Sequence, residues 1–186
     1  MKKILFVLAI CSGFSMNLYA QDISEPEFVG ETLLVKQDNS SFPLEKTLAQ
    51  NRTVASTGLI LSGIGKVRSQ IQIDGCCANL KIKKGEPVKL IVRNVDNQTD
   101  PLAIIQIFKF EVKKKYRRAE LASYSSLGSA KSNNLMYVSF TGKKYGTSSY
   151  ILTLAALEPG EYGVTISNPN ALDQKQTVVS SFAVSE

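Results

Sequence analysis

The sequence contains no histidine and no tryptophan, and only three of its 186 residues are cysteines. Without an imidazole, a Ser-His-Asp triad or a Cys-His dyad is excluded, and so is any metal site that depends on histidine ligands. No apolar run reaches the ~20 residues that a membrane-spanning helix needs. Apolar residues nevertheless make up 44% of the chain, which is enough for a folded core. The residues present therefore predict a globular protein without a cofactor.

The N-terminus has the pattern of a secretory signal. Lys2 and Lys3 precede a seven-residue apolar run at 4–10, and a cleavage site follows that ends in the small residue Ala20. We expect residues 1–20 to be removed and the protein to be exported, to the periplasm or the cell exterior. Losing two lysines lowers the formal charge from +6 to +4.

The three cysteines do not predict a disulfide framework. Cys11 follows the apolar run, but a lipid-attachment site requires a small residue before the cysteine and Ile10 is large. Cys76 and Cys77 are adjacent, and bridging neighbours requires a strained ring. The favoured interpretation is a strand with one cysteine inward and one outward. A vicinal disulfide and an intermolecular bridge are the alternatives.

Short segments of period two dominate the rest of the chain. In the clearest of them, Val67, Ser69, Ile71 and Ile73 alternate with charged and amide side chains. Near Ile107 the apolar phase changes, which indicates a bulge or a strand buried on both faces. Further strands are predicted around 57–64, 88–93, 103–112, 136–140, 150–154, 162–166 and 178–184, with Gly, Pro and Asn turns between them. This spacing predicts an all-β, antiparallel, two-sheet sandwich.

The inward positions of these strands predict the core. It should contain Ile71, Ile73, Leu90, Val92, Phe108, Phe110, Leu152, Leu154, Val164, Ile166 and Phe182.

Three segments are less regular. Residues 44–50 follow Pro43 and are a helix candidate. Residues 116–123 favour helix by composition, but their neighbours favour a strand paired with the preceding one. Residues 125–134 are rich in Ser, Asn and Gly and predict an exposed loop. We expect one domain over 21–186, with 21–50 as a candidate N-terminal extension or appended hairpin.

Residues 157–164, Leu-Glu-Pro-Gly-Glu-Tyr-Gly-Val, resemble the crossover of immunoglobulin-like and fibronectin type III sandwiches. That resemblance implies a Greek-key sandwich in which the Tyr162 hydroxyl bonds to the backbone a few residues upstream. Residues 82–94 are similar to a strand pair of cupredoxins, whose copper needs histidines that this chain lacks. As a whole the chain resembles small secreted bacterial β-sandwich proteins of unknown function.

The densest charge lies in one run of six residues: Lys113, Lys114, Lys115, Tyr116, Arg117 and Arg118. At a hairpin tip these cations would present a patch for an anionic polymer such as lipopolysaccharide, an acidic glycan or nucleic acid, with Tyr116 stacking on a sugar or base. Export and a modest net charge argue against nucleic acid. The alternative is a solvated loop that protects a sheet edge.

A second polar cluster contains Asp96, Asn97 and Asp100. It supplies at most half of the six to eight oxygen ligands that calcium takes. An Asx-rich turn is therefore the favoured interpretation.

These features predict a secreted, non-catalytic binding or structural module of the cell envelope. Its partner would be an anionic polymer, a glycan or another envelope protein. Two alternatives remain: a carboxylate-dependent hydrolase, and an adhesion or assembly subunit that acts by strand addition. Two carboxylates in one deep pocket with raised pKa values would distinguish the hydrolase.

Overall fold

The computed structural model describes residues 23–167 and 177–186. The predicted export signal, Cys11 and the segment Asn168-Pro169-Asn170, which is one of the turns expected between strands, lie outside these residues. In chain order the elements are β1 (Thr32–Val35), β2 (Ser41–Pro43), β3 (Glu45–Ala55), α1 (Thr57–Ser62), β4 (Lys66–Asp74), β5 (Lys81–Lys83), β6 (Val88–Arg93), α2 (Pro101–Ile104), β7 (Ile105–Lys109), β8 (Glu111–Val112), β9 (Tyr116–Ser125), β10 (Ala130–Lys131), β11 (Met136–Tyr137), β12 (Phe140–Tyr145), β13 (Ser149–Leu154), β14 (Gly160–Ile166) and β15 (Thr177–Ser185).

The strands form two sheets. Sheet A has the order β12-β13-β6-β1-β2, and sheet B has the order β10-β9-β4-β3-β15-β14-β7-β11. The pairs are antiparallel, except that β5 adds to β15 in parallel. The predicted all-β, antiparallel, two-sheet fold is confirmed at this level. The N-terminal strands are built into both sheets, because β1 lies between β2 and β6 and β3 lies between β15 and β4.

The sandwich core lies between sheet A and the β7, β14 and β15 part of sheet B. Leu90 and Leu152 of sheet A belong to the same buried cluster as Ile107, Val164 and Phe182 of sheet B. The apolar faces of both sheets are removed from water by this contact, which is the main stabilising term of such a fold.

Sheet B also curls around a second core. Strands β7 and β8 follow each other along the chain and are separated only by Phe110. β7 pairs with β14, whereas β8 pairs with β9 on the other side of the curl. The sheet therefore forms a half-barrel. Its interior is apolar and contains Ile71, Ile73, Phe108, Phe110, Ala119 and Val179.

The phase change near Ile107 is explained by these two cores. Ile105 and Ile107 face the sandwich, whereas Phe108 and Phe110 face the interior of the half-barrel. The strand is thus buried on both faces, which was one of the two alternatives. Every residue of the predicted core is buried except Ile166, which is partly buried at the edge of the sandwich.

Several local predictions were wrong. Residues 44–50 are not a helix: Leu44 precedes β3, and 45–50 lie in β3, whose backbone is paired with β15 and then β4. Residues 57–64 are not a strand. They contain α1, which is capped at its C-terminal end by Gly63 with a φ of 72°, a value that glycine adopts without strain. The predicted strand at 136–140 is divided between β11 in sheet B and β12 in sheet A.

Residues 116–123 are confirmed as a strand, since they lie within β9. Its main partner is β4 rather than the preceding strand, because β8 contributes only the pairs Glu111–Arg118 and Val112–Arg117. The predicted loop at 125–134 contains the two-residue strand β10.

Tyr162 makes the hydrogen bond that the resemblance implied. Its hydroxyl donates to the Glu158 carbonyl at 2.6 Å, and its ring stacks on Phe182 with 5.4 Å between centroids. Burial, followed by the charge of Glu158, raises the pKa of Tyr162. The hydroxyl therefore ties the turn at Pro159 to the start of β14.

Replacing Tyr162 by Phe should lower the free energy of unfolding by about 1 kcal/mol, the usual net value of a hydrogen bond. Urea unfolding of the two proteins measures the difference. Tyr137→Phe, on an exposed side chain, is the control and should leave stability unchanged. Equal stability of the Tyr162→Phe and wild-type proteins would leave only ring packing to account for this position.

Candidate functional site: a basic cleft on the half-barrel

The predicted basic run does lie at a hairpin. Strands β8 and β9 are closed by a hydrogen bond from Lys113 N to Tyr116 O of 2.8 Å. Lys113 and Arg118 both pair with Glu111, at 2.5 and 2.6 Å. Lys114 and Lys115 are exposed and pair with no carboxylate of the described residues. The hairpin tip thus offers two free cations, not five.

Arg117 does not belong to that exposed patch, and its assignment there was wrong. Its side chain is 1% exposed, because alternation along β9 directs it inward with Ala119. Its guanidinium contacts Glu45 at 2.9 Å, Glu161 at 3.1 Å and Ser181 Oγ at 3.0 Å. These residues come from three further strands of the half-barrel. Arg117 is therefore a structural residue of the second core.

Cys76 and Cys77 form a vicinal disulfide, which corrects the expectation that they remain unbonded on a strand. They lie in the bend after β4, where side chains no longer alternate between two faces. The flanking backbone is fastened to the buried charges, because Arg117 Nε donates to Gly75 O at 3.2 Å and Ala78 N donates to Glu161 at 2.8 Å.

The polar cluster at 96–100 forms turns. Asp96 accepts a hydrogen bond from Gln98 N at 2.9 Å, and Asp100 caps α2 by accepting one from Leu102 N at 2.9 Å. The Asn97 amide donates to the carbonyls of residues 145, 146 and 149. These bonds support the Asx-turn interpretation. In the described part of the chain, no three acidic or cysteine side chains gather as metal ligands would.

A cleft of about 460 Å³ opens on sheet B between the β9–β10 hairpin and the β7–β11 pair. We call it the basic cleft. Its charged lining residues are two carboxylates, Glu111 and Glu120, and five cations, Lys66, Arg68, Lys109, Arg118 and Lys131. Of the six residues in the predicted basic run, only Arg118 lines this cleft.

Both carboxylates of the basic cleft are already paired. Glu111 accepts from Arg118 at 2.6 Å, and Glu120 lies 3.4 Å from Arg68. Hydrogen bonds from Arg118 and then Lys113 lower the pKa of Glu111 to about 2. Glu111 is therefore a constant negative charge that is balanced within the protein.

Three cations of the basic cleft are not used in these pairs. Lys109 Nζ donates to the Pro159 carbonyl at 2.9 Å. Lys66 and Lys131 make no ion pair with any residue in the ranges 23–167 and 177–186. The cleft thus presents uncompensated positive charge.

The wall of the basic cleft also carries polar and aromatic groups. Asn134 Nδ2 donates to Glu120 at 2.6 Å and to Ser123 Oγ at 2.9 Å, which fixes the β10–β11 connection against β9. Tyr124 is 56% exposed and lines both this cleft and a second one on the other side of Lys131. The pairing of β4 with β9 shifts register after Ser69, which changes the side chains of β9 that share a face with Tyr124.

Sequence reasoning missed the basic cleft because its residues are separated along the chain. Lys66 and Lys131 stand 65 positions apart in the sequence, and only the pairing of β4, β9 and β10 brings them together. The local signal was weak, since isolated lysines near turns are common on protein surfaces.

No protein-family model matches this chain, and the comparison with curated proteins gave no match. Among the described helices, neither has the length and apolar character needed to cross a bilayer.

Proposed function

We propose that the protein is an exported, non-catalytic binding module of the cell envelope and that the basic cleft binds an acidic glycan. The observation that carries this proposal is the pair of unpaired lysines, Lys66 and Lys131, in a cleft whose carboxylates are both neutralised by arginines. An incoming carboxylate or sulfate would meet attraction from the lysines without displacing an existing ion pair.

The remaining lining favours a sugar over a simple anion. Ser123, Ser125 and Ser129 provide hydroxyls, and Asn134, whose Nδ2 bonds within the protein, provides its amide oxygen. Tyr124 adds an exposed aromatic face, which packs against the apolar face of a sugar ring while its hydroxyl stays in water. A ligand with spaced negative charges, hydroxyls and apolar ring faces uses all of these groups together.

The hydrolase alternative has less support. Glu111 and Glu120 do share the basic cleft, but a general acid needs a raised pKa so that it holds its proton near neutral pH. The pKa of Glu111 is lowered instead, to about 2. Such a group supports an electrostatic and structural role.

The strand-addition alternative also has less support. The β12 edge of sheet A carries Lys143 and Lys144, and lysines on an edge strand oppose pairing with another chain.

For the fold we propose an immunoglobulin-like Greek key with two insertions. Its support is the strand order: β1-β6-β13-β12 in one sheet and β11-β7-β14-β15 in the other follow the arrangement of such sandwiches. The two insertions are then β2–β5 and β8–β10. All of their strands except β2, which pairs with β1 in the first sheet, extend the second sheet, and most of the basic cleft lies on them. The Tyr162 hydrogen bond at the start of β14 agrees with this assignment.

The test is direct binding of polygalacturonate, heparin and neutral dextran, measured by calorimetry at 20 mM and 150 mM NaCl. We expect the two acidic polymers to bind and dextran not to bind. Affinity should fall with salt, since screening shortens the range of the attraction to about 8 Å at 0.15 M. Lys66→Gln/Lys131→Gln should weaken binding at least about tenfold, or about 1.4 kcal/mol.

The matched control is Lys114→Gln/Lys115→Gln at the hairpin tip. It removes the same two charges from exposed sites outside the basic cleft and should change the affinity less than about threefold. Tyr124→Ala should weaken binding by a similar factor at both salt concentrations, because it removes contact area and not charge. Equal losses in the two lysine pairs, or no binding of either acidic polymer, would contradict the proposal.

A further inference from the structure

Four aliphatic side chains protrude at the end of the β3–β4 ribbon. Helix α1, which joins these strands, has no buried residue. The exposed fractions are 73% for Ile60, 81% for Leu61, 59% for Ile64 and 81% for Leu127 of the β9–β10 turn. We call these four residues the aliphatic tip. Single exposed apolar side chains are common, but four at one end of a molecule indicate an interaction surface.

The tip has a defined conformation. Gly63 N donates to Leu59 O at 3.0 Å, and Lys66 N donates to Ser56 Oγ at 2.9 Å, which closes the turn around α1. Ser126 connects the β9–β10 turn to the turn around α1. Its backbone N donates to Gly65 O at 3.0 Å, and its hydroxyl accepts from Gly65 N at 2.9 Å. These bonds hold the aliphatic groups of both segments on one protrusion.

The charge around the aliphatic tip has one sign. Residues 50–73, which form the paired part of β3 and β4 and the turn between them, contain three cations and no Asp or Glu. Residues 121–142, which include the β9–β10 turn, contain Lys131 and again no Asp or Glu. Arg52 bonds to the neutral Gln50, so its charge is not compensated there. A partner surface must therefore be apolar at its centre and negative around it.

We propose that the aliphatic tip docks on an anionic lipid bilayer. The four side chains enter the interfacial region, and the cations behind them, Arg52 and Lys66 among them, face the lipid headgroups. Apolar insertion and basic charge each give marginal attachment alone, and together they give stable peripheral binding. Charge complementarity favours this occupant, since a bilayer with anionic lipids presents the same sign of charge across the whole contact.

The absence of tryptophan from the chain provides a site-specific test. Leu61→Trp places a single indole on the tip, and Leu48→Trp places one on an exposed site of β3. Vesicles of phosphatidylcholine with 30% phosphatidylglycerol should shift the emission of the tip variant to the blue, and brominated lipid should quench it. The Leu48→Trp control should show neither effect, nor should the tip variant with pure phosphatidylcholine.

The partition coefficient of further variants with the same vesicles separates the contribution of the aliphatic side chains from that of the cations. Ile60→Ser/Leu61→Ser should lower the partition coefficient at least about tenfold without changing the midpoint of thermal unfolding, because neither side chain is buried. Arg52→Gln should weaken binding and reduce its salt dependence. Residues 4–10 are also apolar, so binding is judged by differences between variants of the same full chain.

The serine double variant should still bind polygalacturonate as the wild type does, since it leaves the basic cleft intact. Failure of the tip proposal is therefore distinguishable from failure of the proposed function. Equal partition of the wild-type and serine variants would overturn the proposal. So would an unshifted Leu61→Trp spectrum with anionic vesicles, which would leave a protein partner as the occupant of the tip.

Discussion

Replacing Arg117 by Met should lower the free energy of unfolding by about 3–5 kcal/mol, measured by urea denaturation. Methionine preserves much of the side-chain volume but removes the charge that faces Glu45 and Glu161. Burying a carboxylate without its partner costs several kcal/mol, because the desolvation penalty remains when the attraction is lost.

The neighbouring residue gives a matched control. Arg118 also pairs with a carboxylate, Glu111, but both side chains are accessible to water. Arg118→Met should therefore cost less than about 1 kcal/mol. A similar small cost for Arg117→Met would mean that the buried pairs are not formed in solution.

A multiple variant separates the cause from a simple loss of packing. If uncompensated carboxylates account for the cost, adding Glu45→Gln and Glu161→Gln to Arg117→Met should recover part of the stability. If packing of the arginine stem accounts for it, the added substitutions should only destabilise further.

Arg117 also shows where sequence reasoning stops. Arg117 is a cation among cations, which is the local sequence of an exposed basic tip. The other four cations of that run are exposed or partly exposed. The partners of Arg117, Glu45 and Glu161, are 72 and 44 positions away. Only the curl of sheet B brings them together, and no local pattern records that curl.

Strands with an alternating pattern were predictable because burial on one face imposes period two. Alternate apolar residues of β4, β6, β13 and β14 do share one face toward a core, which identified the predicted core with Ile166 as the one partly buried member, although burial in these strands extends to the other face as well. The predictions for residues 44–50 and 57–64 were wrong for opposite reasons. Pairing with β15 and β4 overrides the local helix signal of the first segment, and a left-handed glycine closes a short helix in the second.

The candidate site was less predictable than the fold. The sequence indicated that cations would matter, but it selected the run at 113–118, where the structure leaves only Lys114 and Lys115 unpaired at the tip. The clustering of lysines and arginines along the chain showed where positive charge is dense. Binding of an anionic ligand instead depends on cations that are not already paired with a carboxylate of the protein. That property depends on ion pairs between strands, such as Arg68 with Glu120, which are set by register.

Replacing Phe110 by Ala should lower the free energy of unfolding by about 3–5 kcal/mol, the usual cost of removing a fully buried aromatic side chain. Phe110 is buried between β7 and β8, where its ring meets Phe108 edge-on with 5.1 Å between centroids. Its ring also lies 5.9 Å from the Arg117 guanidinium. The substitution therefore opens a cavity beside a buried charge, at the point where one strand passes from the sandwich to the half-barrel.

Two comparisons make the Phe110 measurement specific. Phe42→Ala, at an exposed phenylalanine of β2, should cost less than about 1 kcal/mol. Gly163→Ala should destabilise as well, because a Cβ at Gly163 would lie 2.7 Å from the Phe110 ring. In a Phe110→Ala background that clash is gone and only the 3.0 Å approach to the Phe108 ring remains, so the glycine substitution should cost less there than in the wild type. Equal costs of Gly163→Ala in both backgrounds, or a loss below about 1 kcal/mol for Phe110→Ala, would place this ring outside the second core.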